Sequence, residues 1–357
     1  MARSFNLADL FEIVAAAVPG KLAIVSGDRR LTYRELDERA NRVAHHLTAQ
    51  GVRPGDTVSL LAHNRAEWLE AQIGAFKLRA VPVNVNYRYT AGELAYVIGD
   101  SDSVALVGER SLIARLGEAR GKLSGLRHVL VVEDGSDDDV PDAVEYEAAL
   151  AAASPENDFG ERSPDDLYLL YTGGTTGMPK GVMWRHEDIF MSAMGGGNAM
   201  GDPVPTPETL AEKVLDGGLN TLVCAPLMHG AGMWVAWLAL TTGSTLILWT
   251  GRSFDAARVL ALAAEERAVT LNAVGDAMAR PLIAELEAHP GRYDLSALLV
   301  IATGGAVTSP DVKARLHELI PSLLMILDAF GGSETGASGQ AVAPSADGQP
   351  RFVPRGD

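Results

Sequence analysis

The residues best suited to chemistry form one run, YTGGTTGMPKGV, Tyr171 to Val182. An apolar stretch, Leu167 to Leu170, leads into two adjacent glycines, three threonines, a third glycine and a lysine. Glycines let backbone N–H groups come close to a polyphosphate, hydroxyls add donors, and a lysine supplies positive charge. The order is not that of the P-loop G-x-x-x-x-G-K-[ST], because Pro179 precedes Lys180 and Gly181 follows it. The plain alternative is a glycine-rich surface loop, which needs neither a buried strand in front of it nor three hydroxyls and a lysine.

Three further segments follow in order: CAPLMHGAGMW (Cys224 to Trp234), ATGGAVTSP (Ala302 to Pro310) and DAFGGSETG (Asp328 to Gly336). Together with the first run they resemble the signature motifs of the adenylate-forming superfamily. That superfamily holds acyl-CoA synthetases, aryl-CoA ligases, luciferases and peptide-synthetase adenylation domains. The resemblance covers the whole chain, and four ordered motifs make it specific.

The resemblance implies a role for each matching residue. Thr172, Gly173, Gly174, Thr175, Thr176, Gly177 and Lys180 would cradle the phosphates of ATP, with Ser333 near the α-phosphate where relatives usually carry Thr. Gly304, Gly305 and Ala306 would lie along the adenine, with Asp328 by its amino group and Ala329 and Gly331 beside it. Phe330 would stack on the base; relatives more often have Tyr, but stacking needs only a flat π face. Glu334 would hold Mg²⁺, which prefers hard carboxylate oxygens. Without the other motifs, Ser333-Glu334 after glycines reads equally as a helix cap with an acid in the first turn. His229, Trp234 and Trp237 would border an acyl pocket, His229 as a shaping group. The plain readings are a hydrogen-bonded core histidine and two core tryptophans. Amino-acid-activating relatives carry an Asp at the place of His229, so an amino acid substrate is disfavoured. Catalytic weight is thus expected on His229, Lys180 and Glu334.

There are departures too. Relatives continue past the Glu motif with an Asp for the ribose, a hinge and a small C-terminal domain bearing a catalytic lysine, none of which can be placed before Asp357. The chain is therefore expected to be the N-terminal portion of such an enzyme, inactive or weakly active alone. The segment NAVGD, Asn272 to Asp276, stands where many relatives have a Val-Pro-Thr type loop.

Positioning these residues requires a scaffold, and the rest of the sequence describes one. Short apolar strands (Ala23 to Ser26, Asp56 to Ala62, Val81 to Val85, Val104 to Val107) alternate with helices opened by Thr32/Glu35, Asn64/Glu67 and Thr90/Glu93. After two polar links, Asp134 to Asp142 and Ser154 to Asp166, alternation resumes. Strands are expected at Leu167 to Tyr171, Leu222 to Ala225, Thr245 to Trp249, Val269 to Val274, Leu298 to Thr303 and Leu324 to Leu327. Helices are expected at Ala231 to Leu240, Asp255 to Arg267, Ala279 to His289 and Pro310 to Leu319. Such alternation means parallel sheets in an α/β fold. The expected architecture is two stacked α/β subdomains, 1–160 and 161–342, with the nucleotide and acyl site in the second and a tail at 343–357.

Composition narrows the partners. A length of 357 residues exceeds one compact core. A formal net charge of −16 argues against nucleic acid. The single cysteine, Cys224, allows no internal disulfide and fits a reducing cytoplasm. Between Gly217 and Gly251 there is no Lys, Arg, Asp or Glu, yet Pro226, His229 and several glycines interrupt the stretch, so a core helix and strand are expected, not a membrane span. The partners implied are ATP, coenzyme A, a fatty or steroid side-chain acid and the protein's own C-terminal domain, with homodimerisation left open. Other readings are an adenylating enzyme that loads an acyl carrier protein, and a nucleotide-binding module without catalysis.

Overall fold

The computed structural model describes residues 3–173, 177–198, 201–214, 218–342 and 353–354. The strands are β1 (Leu22–Ser26), β2 (Arg29–Thr32), β3 (Thr57–Leu61), β4 (Val81–Asn84), β5 (Ser103–Glu109), β6 (His128–Val132), β7 (Val144–Glu145), β8 (Leu167–Thr172), β9 (Lys180–Arg185), β10 (Thr221–Val223), β11 (Leu246–Leu248), β12 (Thr270–Ala273), β13 (Val300–Gly304), β14 (Met325–Gly332), β15 (Gly336–Val342) and β16 (Val353–Pro354). The helices are α1 (Leu7–Ala17), α2 (Tyr33–Ala49), α3 (Ala66–Lys77), α4 (Ala91–Asp100), α5 (Arg110–Ala114), α6 (Tyr146–Ala152), α7 (His186–Ala193), α8 (Thr209–Lys213), α9 (Gly230–Thr241), α10 (Ala256–Glu265), α11 (Gly275–Ala288) and α12 (Pro310–Leu319).

Two sheets form. One has nine strands in the order β16-β15-β14-β13-β12-β10-β11-β1-β2, the other seven in the order β7-β6-β5-β3-β4-β8-β9. Their central pairs are parallel, while β1/β2, β8/β9, β14/β15 and β15/β16 are antiparallel. A division at residue 160 does not describe these sheets. β1 and β2 from the first part complete the nine-stranded sheet, and β8 and β9 from the second complete the seven-stranded one.

The pleat explains how the sheets share one core. Adjacent residues point to opposite faces, and strands covered on both faces read as unbroken apolar runs. Ile24, Val223 and Leu246 face the inner core, whereas Val25, Leu222 and Ile247 face an outer core over α10, α11 and α12. On the seven-stranded sheet Leu60 and Val107 face inward, and Leu61 and Leu106 pack outward near α4. Helix α3 touches β1 of one sheet and β3 and β4 of the other, and α2 packs on β1 and β2 while its His46 meets His128 of β6 (2.9 Å), so a helical layer lies between the sheets.

Local signals account for most helix ends. Thr32 and Thr90 each accept the N–H of a Glu three residues on, and that Glu reaches back to the threonine backbone, completing two capping boxes. Asn64 does not open α3. That helix starts at Ala66 without a side-chain cap, because the Asn64 amide is occupied across the sheets by the Ala225 carbonyl and the Leu227 N–H. Helix α11 begins at Gly275, four residues earlier than its apolar spacing suggests, and takes part of NAVGD into its first turn.

The link at 154–166 is polar but not simply solvated. Arg162 is nearly buried, donating to Asp9 (2.6 Å), Glu12 (2.7 Å) and the Lys77 carbonyl (3.1 Å). Lys77, wholly buried, meets Glu12 at 2.7 Å and Asp37 at 2.8 Å. This charged cluster fastens α1, α3 and the link to one another.

Candidate active site

The carboxyl ends of β8, β13 and β14, the segment after β4 and the amino end of α9 surround a cavity of about 500 Å³. In parallel α/β sheets the carboxyl ends of strands are where ligands bind, since loops there converge from several strands. The four motif runs, spread between Tyr171 and Gly336, all reach this cavity wall.

From β8, Thr172 and Gly173 enter the wall. Gly174, Thr175 and Thr176 lie outside the described residues. Gly177 is exposed just before β9. Lys180 opens strand β9, opposite Thr172 in the antiparallel β8/β9 pair. Its side chain is exposed and is not part of the cavity wall. Tyr171, just before the loop, donates its phenol O–H to Asp100 (2.8 Å); burial and that carboxylate push its pKa up.

β13 ends in Gly304 and Gly305, both in the wall. Gly305 has φ +78° and a β-carbon there would lie 3.3 Å from that of Ala231, so bare backbone faces the cavity. Ala306 is exposed outside the wall, beside Gly275. On β14, Leu327, Ala329, Phe330 and Gly331 line the cavity, and Phe330 is 62% exposed, offering a ring face. Asp328, read from the sequence as lying by the adenine amino group, is not in the wall. Its neighbours Leu327 and Ala329 are, and strand alternation turns Asp328 the other way, where it accepts from Thr303 Oγ1 (2.7 Å) and pairs with Lys313 on α12 (2.5 Å).

Ser333 reaches the wall and Glu334 is exposed on the turn between β14 and β15. Two contacts hold this turn against β9 and α7. The Trp184 indole N–H donates to the Ser333 carbonyl (2.8 Å), and Ser192 donates to the Thr335 carbonyl (3.3 Å). Gly336 closes the turn at φ +63°, where a β-carbon would collide with Ser192 Oγ at 2.0 Å.

His229 sits at the N-cap of α9 with its ring exposed into the cleft. The cleft walls desolvate it and Arg88 adds positive charge, both lowering its pKa, so the neutral ring prevails near pH 7. Trp234, one turn along, lines the cavity, its ring lying against Gly230. Trp237 does not line it. That residue is fully buried, donates to Gln72 Oε1 on α3 (2.9 Å) and packs on Phe76, because α9 is apolar all round and buries its far side. Cys224 lies in the outer core, its thiol pKa raised by burial.

Sequence reading missed Asn84, Asn86, Trp184 and Ser192. Asn84 had a usable signal, since Asn is unfavourable in strands and here ends the apolar run VPVN.

Among the described residues no cluster of three or more His, Cys, Asp or Glu could hold a metal by itself. A lone exposed carboxylate, Glu334, nevertheless suits Mg²⁺, which commonly takes one or two carboxylates together with substrate phosphates.

An α/β chain with two sheets carries one cleft built from these four runs. The chain belongs to the AMP-binding enzyme family, whose profile matches residues 11–354. It is 45% identical over 346 residues to a medium/long-chain-fatty-acid–CoA/3-oxocholest-4-en-26-oate–CoA ligase of Mycobacterium tuberculosis H37Rv, covering 96% of this chain and 62% of the relative. It is 42% identical to the 3-oxocholest-4-en-26-oate–CoA ligase of Rhodococcus rhodochrous, covering 95% and 62%. The chain thus spans about 62% of the length of these relatives. Among solved structures, an anthranilate CoA ligase in complex with anthranoyl-AMP matches with TM-score 0.79 at 22% identity, over 100% of this chain and 69% of that one. The N-terminal domain of FACL13 from Mycobacterium tuberculosis matches with TM-score 0.76 at 23% identity, over 98% and 86%. These two show the fold, which is shared with the N-terminal domain of FACL13. Among the described residues no helix is long and apolar enough to cross a membrane.

Proposed function

We propose that this cleft activates a carboxylic acid with ATP, forming acyl-AMP and pyrophosphate, and that the thiol of coenzyme A then takes the acyl group. A fatty or steroid side-chain acid is the substrate class, supported by the names of the relatives at 42–45% identity. The observation that carries the reading is the convergence of all four motif runs on one cavity at the carboxyl ends of the strands.

In this reading a carboxylate oxygen attacks the α-phosphorus, and the bond from that phosphorus to the bridging oxygen breaks as pyrophosphate leaves. The protein's contribution is placement and charge stabilisation. Phe330 and the Gly304-Gly305 backbone hold the base. Thr172, Gly173, Ser333 and Lys180 address the phosphates, Lys180 from the outer side where β9 begins. Glu334 would hold Mg²⁺, which supplies positive charge to the polyphosphate. His229, neutral near pH 7, and Trp234 shape the acyl end without adding charge beside the carboxylate. Thiol attack on the acyl carbonyl then expels AMP. The relatives' greater length suits a C-terminal domain that closes over this cleft and brings the lysine central to the family's chemistry.

ATP with Mg²⁺ is expected to raise the melting temperature of the 357-residue chain, because the proposed base and phosphate contacts all precede residue 337. At a concentration 100 times its dissociation constant the nucleotide adds about 2.7 kcal/mol. Scanning fluorimetry at millimolar ATP checks this, and an unchanged melting temperature would count against the site.

A further inference from the structure

Two buried asparagines at the ends of neighbouring strands reach from the seven-stranded sheet to the segment that follows β10 in the other sheet. Asn84, the last residue of β4, is 8% exposed and its amide is fully used. Its Oδ1 accepts the Tyr171 N–H (2.6 Å), and its Nδ2 donates to the Tyr171 carbonyl (2.9 Å) and the Met228 carbonyl (2.6 Å). Tyr171 directly precedes Thr172 and Gly173, and Met228 directly precedes His229. Asn64, after β3, grips the same segment just before Met228, accepting from the Leu227 N–H (2.8 Å) and donating to the Ala225 carbonyl (3.0 Å).

We propose that Asn84 is a positioning residue that locks the phosphate-loop strand to the His229 segment, fixing the distance between the nucleotide half and the acyl half of the cleft. This rests on the adenylation reading for the ligands, though not for the clamp. β8 and the segment after β10 belong to different sheets, so their relative placement depends on cross-links between layers. One amide bonding both is the shortest such link. The place calls for a carboxamide. The Tyr171 N–H requires an acceptor, and the Tyr171 and Met228 carbonyls require donors. An aspartate would turn oxygen toward two carbonyls, and a leucine would leave three buried backbone groups unpaired.

The test uses Asn84→Asp and Asn84→Leu in the protein that carries this chain. Asn41→Ala is the control, a buried asparagine that bonds the Pro155 carbonyl away from the cleft. Two probes are ATP, which touches the nucleotide half, and a non-hydrolysable acyl-sulfamoyl adenosine, which spans both halves. Both Asn84 variants are expected to bind ATP within roughly threefold of wild type and the spanning analogue about 100-fold more weakly, the scale set by a misplacement near 1 Å. Without ligand, amide hydrogen exchange should quicken in peptides over 170–173 and 226–229 but not over β5. In Asn84→Asp the loss should shrink, relative to wild type, as pH falls from 8 to 6, since a protonated carboxyl regains one donor. Equal weakening of both probes, exchange unchanged in the two segments, or exchange quickened throughout would overturn the proposal. If wild type binds neither probe yet the two segments respond together, the adenylation reading falls and the clamp stands.

Discussion

Replacing Glu334 with Gln, or Lys180 with Ala, in the protein that carries this chain is expected to lower adenylation turnover about 100- to 1,000-fold, the usual cost of removing one preorganised group that stabilises developing charge. Both side chains are exposed, Glu334 on the β14–β15 turn and Lys180 at the start of β9. Truncation therefore leaves no cavity, and unfolding free energies should stay within about 0.5 kcal/mol of wild type. The two act on different parts of the polyphosphate, so the split between them is informative. Glu334→Gln should lose turnover with a changed Mg²⁺ dependence, while Lys180→Ala should also raise the KM for ATP. Steady-state kinetics over a Mg²⁺ series separates them. Two well-folded variants with wild-type turnover would remove both residues from the proposed site.

Arg162→Ala is expected to produce one of the largest losses of stability available to a single substitution here. It removes partners from Asp9 and Glu12, both buried carboxylates on α1. Breaking a buried pair so that a charge is left short of its counterion costs about 3–5 kcal/mol. The pH dependence has a definite sign. Burial pushes the Glu12 carboxyl up, but Lys77 and Arg162 outweigh it and hold the pKa at about 2, below the ordinary 4.5. A carboxyl depressed in the folded state adds stability above its unfolded pKa and loses it as pH falls through the folded value. Urea unfolding should therefore show wild type well above the variant at pH 7, with the gap narrowing from about pH 4.5 toward pH 2. Equal midpoints at pH 7 would show that the remaining pairs suffice.

That cluster also marks where the sequence was hard to read. Ser154 to Asp166 looks solvated because it is polar, and polarity does not reveal that Arg162 meets buried acids more than 140 positions away. The central strands were legible because both faces are buried and their β-branched runs carry the signal alone. β9 and β15 were not. KGVMWR and GASGQAV contain glycine and no regular alternation, and they form by pairing antiparallel with β8 and β14, a tertiary cause that a local pattern does not record. The same distinction runs through the site. Motif spacing brought the cleft segments into view, but side-chain direction depends on strand phase and helix face. Phase turned Asp328 toward Lys313, and the helix face turned Trp237 toward Gln72. Asn84 and Trp184 hold the cleft together through backbone groups of distant residues, which no run of neighbouring letters displays.

The reaction proposed for this cleft joins a carboxylic acid to AMP. The most direct measurement is acid-dependent exchange of labelled pyrophosphate into ATP, run with fatty, aromatic and steroid side-chain acids on both the 357-residue chain and the longest protein that contains it. Exchange is expected from the longer protein with fatty or steroid acids, abolished by Glu334→Gln, and little or none from the 357-residue chain although it binds ATP. Absence of exchange with every acid, in a longer protein that is folded and binds ATP, would contradict it.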